Sequence, residues 1–257
     1  MTRRANAPIV SCLAGLALLF ASGTGHAAAG NVEPALVDFL RQPIALVLVV
    51  GLAALLPFAF MALTAFVKIS TVLQIVKGAI GAQSVPSNSI IIALSAALTL
   101  LAMGPVGTRI LDRAAPVFTT GAAQDTVKVI TGLGAAVAEP MKDFLRANAS
   151  ARERHRFFEL AKQARPEAER AAVGENDWVV IMPAFVVTEL LEAFALGFLI
   201  YLPFLVIDLV VSNVLLALGM QLVSATQVSL PFKLLLFVAI DGWGLVSQAL
   251  VTGYRLA

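Results

Sequence analysis

Five ionisable side chains, Glu189, Glu192, Asp208, Lys233 and Asp241, interrupt an otherwise apolar run of about 77 residues from Trp178 to Tyr254. Charges in such surroundings cost several kcal/mol unless they are paired or wet, so each needs a partner or a water-filled surface. Glu189 and Glu192 are three apart and share one face of a helix, which should turn toward protein or water. With Met220 to Pro231 taken as a turn, Asp208 lies about twelve residues before it and Asp241 about ten after it, so the two acids sit level with each other. Lys233 then falls at the turn end, roughly 12 to 15 Å along the axis from either acid at 1.5 Å per residue. On that register the hairpin cannot neutralise its own acids, and their partners are expected in another chain or in water. The plainer alternative is local satisfaction at a helix end.

Other chemistry has little to work with. The chain holds two histidines, His26 and His155, and one cysteine, Cys12. No thiolate cluster or internal disulfide can form, and neither a metal site nor a nucleophile with its base is expected. His155 stands among Arg152, Arg154 and Arg156 and reads as a solvated helix residue. Gly132 and Gly134 are only a fragment of a nucleotide fingerprint and follow no strand signal. The expectation is a protein that is not an enzyme and carries no cofactor.

The elements that position these residues belong to a membrane. Of 257 residues 59 % are hydrophobic and 13 % charged, about half the charge of a soluble domain. The net charge of +2 is too small a surplus for a nucleic-acid partner. Residues 1–29 read as a cleavable signal: Arg3 and Arg4, an apolar core from Ile9 to Phe20, and small residues at Ala27 to Ala29. Ile44 to Val67 and Gly81 to Thr108 carry no charge and are each long enough for one span, giving a membrane hairpin within 30–111. Pro57 is expected to break the first span, and Pro105 and Pro231 to lie near helix ends.

Residues 112–177 hold 20 of the 34 charges, ten of each sign, and read as a soluble helical insertion. Phe144, Leu145, Phe157, Phe158, Leu160 and Ala161 have amphipathic helical spacing there, with Pro166 as a break. Residues 178–257 form a C-terminal hairpin whose first helix, about 64 Å long, exceeds the bilayer and is expected to bend at Pro203. A cleaved signal places the first span running inward, with Lys68 and Lys77 at its cytoplasmic end and the insertion outside. The fold class is thus all-α: integral membrane helical hairpins with a soluble helical extracytoplasmic insertion.

Several runs are recognisable. Pro183-Ala184-Phe185, Glu189-Leu190, Gly197 to Val210 (GFLIYLPFLVIDLV), Ala217 to Met220, Ser229 to Val238 (SLPFKLLLFV) and Asp241-Gly242-Trp243 closely resemble the FliP/SctR (YscR) family. The first half is similar to the same family at Leu56-Pro57-Phe58, Phe66 to Ile69, Gly81 to Asn88 and Met103 to Val106. Gln221, Leu222 and Ala225 depart from the flagellar pattern, which has a run of methionines followed by proline, and lean toward the virulence branch. The long signal is more familiar from the flagellar one.

The resemblance implies a core membrane subunit of the type III protein-export gate in the bacterial inner membrane, with the insertion on the periplasmic side. It implies a homo-oligomer similar to a pentamer, two other export-apparatus membrane subunits as partners, and exported proteins as substrates. Met220, Gln221 and Leu222 would correspond to a methionine-rich gasket that closes the channel, a task suited to the adaptable thioether. The rival reading is a small-solute secondary transporter, which calls for repeats or broken helices in paired positions.

Overall fold

The computed structural model describes residues 51, 54–55, 57–81, 86–119 and 126–254. The signal at 1–29 lies outside them, as do most of the first apolar segment and residues 82–85. Every described element is helical: α1 (Pro57–Leu63), α2 (Phe66–Ile80), α3 (Asn88–Thr119), α4 (Thr126–Asn148), α5 (Ala151–Gln163), a 3₁₀ turn (Glu167–Ala172), α6 (Trp178–Ala217), α7 (Ala225–Ala239) and α8 (Gly242–Thr252).

The core is built around α2. Ile69, Val72, Leu73, Val76 and Ala79 recur at helical spacing and are fully buried, because α3, α6 and α7 all pack on this one helix. Two helices, Asn88–Val117 and Trp178–Ala217, are long and apolar enough to cross a membrane, with mean hydropathy of 2.1 and 2.4 over their best windows. Two further pairs are broken. Between α1 and α2 the axis turns by 79°, and between α7 and α8 by 58°. The first break falls at Thr64–Ala65, where the Thr64 hydroxyl donates to the Phe60 carbonyl, seven residues beyond the Pro57 expected to cause it.

Two other prolines also differ from expectation. Pro105 and Pro231 lie inside α3 and α7, and α6 runs as one helix of 40 residues, about 60 Å, through Pro183 and Pro203. Buried hydroxyls in α3 find partners within the helix: Ser95 and Thr99 each donate to the carbonyl four residues earlier, both at 2.7 Å.

The charged insertion forms helices as its spacing predicts. Phe144 and Leu145 are fully buried, and Phe144 packs edge-on against Phe185 of α6 at 5.7 Å between centroids. Ser150 caps α5 by accepting from the Glu153 N–H, and its own N–H goes to the Thr188 hydroxyl of α6, which docks the insertion on the long helix. Glu153 is buried and held by Arg152 and Arg156. Pro166 precedes the 3₁₀ turn, whereas Leu160 is exposed. Helix α3 continues past Asp112, where the charged segment begins.

Close helix contact is set by two glycines. Gly132 of α4 faces Val117 of α3, and Gly197 of α6 faces Ile75 of α2, where an added Cβ would meet Ile75 Cδ1 at 2.5 Å and Cγ2 at 3.0 Å. Gly197→Ala is therefore expected to push α6 off α2 at a cost of about 1–3 kcal/mol. Gly104→Ala, in open space on α3, should be neutral or mildly stabilising. Thermal loss of helical signal in detergent checks the pair. Equal melting of the two variants would remove Gly197 as a spacing residue.

Candidate functional site

Two buried ammonium groups organise the charges of the apolar region. The first belongs to Lys68 of α2, which lies 3.2 Å from Glu189 Oε1 and 2.6 Å from Glu192 Oε2 of α6. The Glu189 side chain is 0 % exposed and that of Glu192 53 %, so one acid is sealed in the core and the other opens outward. The Lys68 ammonium also lies 4.5 Å from the centroid of the Tyr254 ring, within cation–π range. Tyr254, beyond α8, directs its hydroxyl at Glu189 Oε2 and at the Ala65 carbonyl at the α1/α2 break. Burial pushes this hydroxyl well above its ordinary value, so it keeps its proton and acts as a donor.

The second ammonium belongs to Lys233 of α7. It lies 2.6 Å from Asp208 Oδ2 and donates to the Ala79 carbonyl at 3.2 Å, while the Ser229 hydroxyl donates to Asp208 Oδ1. The Ala79 carbonyl belongs to the last turn of α2, whose peptide dipoles present their negative end to the cation. Gly81, in the left-handed conformation at φ +80°, ends that helix beside the ammonium.

This geometry corrects the expected register. Lys233 is not 12 to 15 Å from Asp208 but in contact with it, because α7 begins at Ala225 and Pro231 is an interior residue rather than the end of a turn. Asp208 meets Lys233 and Ser229 instead of standing level with Asp241. The expectation that Glu189, Glu192 and Asp208 need partners outside the chain is likewise corrected, since Lys68 and Lys233 supply them within it. Lys68, read as a cytoplasmic flank of the first span, is a buried partner of the long helix.

Asp241 has a different setting. It occupies the α7/α8 break with φ +51°, a left-handed conformation that Asp tolerates better than most residues, and it is exposed. A Cβ at Gly242 would strike the Phe237 ring, so that glycine follows from the shape of the break, and one at Gly244 would meet the Asp241 carboxylate. Phe237 and Trp243 close it edge to face at 5.1 Å.

Met220, Gln221 and Leu222 lie in the turn between α6 and α7 and are all exposed. Gly219 at φ +73° ends α6, with the Met220 N–H donating to Leu215 and the Gly219 N–H to Leu216, a Schellman closure. The turn therefore has a fixed backbone and free apolar side chains. Between α6 and α7 next to it runs an open groove of about 490 Å³, lined only by aliphatic and aromatic residues such as Val210, Val214, Val228 and Phe232. His155 is exposed, as its arginine-rich setting predicts, and the described residues hold no cluster of three or more metal-ligating side chains.

An all-α chain with membrane-length apolar helices, buried ion pairs and an exposed apolar turn is a helical membrane protein. Comparison with known proteins places it further. The profile of the FliP family matches residues 49–250. The chain is 42 % identical over 210 residues to "Pathogenicity-related ORF2" of Xanthomonas campestris pv. glycines, covering 82 % of this chain and 96 % of that protein. It is 41 % identical over 202 residues to "Hypersensitivity response secretion protein HrcR" of Ralstonia nicotianae, covering 79 % and 93 %. It is 40 % identical over 217 residues to "Yop proteins translocation protein R" of Yersinia pestis, covering 84 % and 98 %. The chain belongs to the FliP family.

Proposed function

We infer that the chain is a core membrane subunit of a type III protein-export gate in the bacterial inner membrane. The observation that carries this reading is the family match across 49–250, together with relatives named for secretion and translocation that align along nearly their whole length. The secondary transporter is not supported by that match.

The finer assignment is our own. The chain acts without catalysis or cofactor, as one of several identical copies, five by family resemblance, joined by two other export-apparatus membrane subunits around the path of exported proteins. Support comes from α6, whose N-terminal half is buried against α2 and the insertion. Its C-terminal half bares Phe198, Leu199, Val206, Leu209, Val210 and Val214 on more than one side. A bare surface of that extent calls for neighbouring apolar helices or lipid. The exposed Asp241 is assigned to a contact with a neighbouring subunit or a wet conduit surface. The paired apolar segments form membrane hairpins, the insertion lies on the periplasmic side, and Met220, Gln221 and Leu222 form the gasket.

Affinity purification of the tagged chain from membranes tests this reading. Recovery in a high-mass ring with other export-apparatus subunits, and loss of protein export on deletion, are the expected results. A monodisperse monomer that drives solute uptake in liposomes would overturn it.

A further inference from the structure

The hydrogen-bond count at Tyr254 does not close if every acid nearby is ionised. Its hydroxyl is within hydrogen-bonding distance of two oxygens, the Ala65 carbonyl at 3.1 Å and Glu189 Oε2 closer still. A phenol carries one proton and can donate to only one of them. With Glu189 as a carboxylate both neighbours are pure acceptors, and one pair of oxygens stays in contact with no proton between them. Ala65 and Glu189 are fully buried, so bulk water cannot relieve that contact.

The charges are unbalanced in the same direction. The ionisable groups acting on Glu189 are Lys68 from α2, Glu192 from its own helix and Tyr254 from beyond α8. That is one cation against two acids. Glu189 Oε1, moreover, faces only the Lys68 ammonium, at 3.2 Å, which is the longer of that ammonium's two carboxylate contacts.

We propose that Glu189 is a proton-binding site, donating from Oε2 to the Tyr254 oxygen while the Tyr254 hydroxyl donates to the Ala65 carbonyl. Each contact then contains one proton. Oε1 becomes the carbonyl oxygen of a neutral acid, a weaker acceptor than a carboxylate, and Lys68 with Glu192 at 2.6 Å form a balanced pair. The chain of donors runs from α6 through Tyr254 to the carbonyl at the α1/α2 break. Loss of the proton turns Glu189 into the stronger acceptor, draws the Tyr254 hydroxyl to it and leaves the Ala65 carbonyl with the Ile69 N–H as its donor. Protonation of Glu189 thus ties the break to the long helix.

Infrared spectroscopy of the assembled complex, labelled with carboxyl-¹³C glutamate, tests the proposal. A label-sensitive band of a protonated carboxyl group is expected at neutral pH and lost in Glu189→Gln, whereas Glu192→Gln, which leaves Lys68 with Glu189 as its carboxylate partner, should lower the pH at which the band disappears. Glutamine mimics the neutral acid, since its amide donates to Tyr254 and its carbonyl faces Lys68, so this variant should assemble like the parent. Absence of the band in the parent, or its survival in Glu189→Gln, would overturn the proposal. If Glu189→Gln does not accumulate, Tyr254→Phe decides: the band should move to the higher frequency of a free acid, and an unmoved band rejects the relay.

Discussion

Lys233→Met is expected to prevent the chain from entering its complex. The substitution keeps the length and apolar stem of the side chain and removes only the ammonium, which lies 2.6 Å from Asp208 and donates to the Ala79 carbonyl. Removing one partner of a buried pair costs about 3–5 kcal/mol, because the other charge is left without compensation. Asp208 is 26 % exposed, which places the loss toward the lower end of that range. Even about 3 kcal/mol is a large share of the 5–15 kcal/mol that holds a typical protein folded. The same ammonium joins α7 to both α6 and α2, so the loss is felt at two helix contacts. Asp208→Asn combined with Lys233→Met should recover much of the assembled yield, since asparagine still accepts from Ser229 and no charge remains. Yield of the high-mass complex on native gels is the measurement. Parental yield for Lys233→Met would reject the pair as a structural element. A double variant no better than the single one would assign the ammonium to Ala79 rather than to Asp208.

This pair also marks where the sequence was and was not legible. The all-α plan, the charged insertion and the long C-terminal helix could be read from charge placement and hydropathy, because both follow residue by residue from the choice between lipid and water. The Asp208–Lys233 contact was missed through the placement of one turn. Pro231 looks like the end of that turn, but a proline inside a helix is tolerated in apolar surroundings when neighbouring helices support it. The signals for the true register were present. Gly219 directly after a leucine-rich run is a helix stop, and Ser224 with Gln227 has the spacing of a helix start. Those two positions put Asp208 and Lys233 about equally far from the turn, at nine residues before Ala217 and eight after Ala225.

The other cluster had no local signal. Lys68 stands 121 residues before Glu189, and Tyr254 stands 65 after it, so nothing in the spacing announces their meeting. The face shared by Glu189 and Glu192 was legible, and so was its need for protein or water. By sequence Lys68 looks like a topological marker, because a lysine after an apolar segment usually is one. The 79° break at Thr64–Ala65 changes that, since it turns α2 away from α1 and carries Lys68 into the core.

The second large effect is expected at the turn. With its backbone fixed by the closure at Gly219, the turn presents Met220 and Leu222 as exposed side chains, Leu222 fully so. On the gasket reading, copies of this turn meet around the channel axis and exclude water by apolar contact worth about 25 cal/mol per Å² buried. Methionine adapts to irregular surfaces, leucine adds bulk, and Gln221 between them is the weaker element because its amide prefers water. Met220→Ala combined with Leu222→Ala should therefore open a leak to small ions while leaving assembly intact. Both side chains lie outside the contacts of α6 with α2 and α7, where Phe204, Leu215 and Phe237 carry the packing. Ion flux through liposomes holding the assembled complex is the measurement, with Gln221→Ala as a variant expected to change it little. Unchanged flux in a correctly assembled double variant would leave Met220 to Leu222 as a plain connection between two helices and return the search for the seal to the bare half of α6.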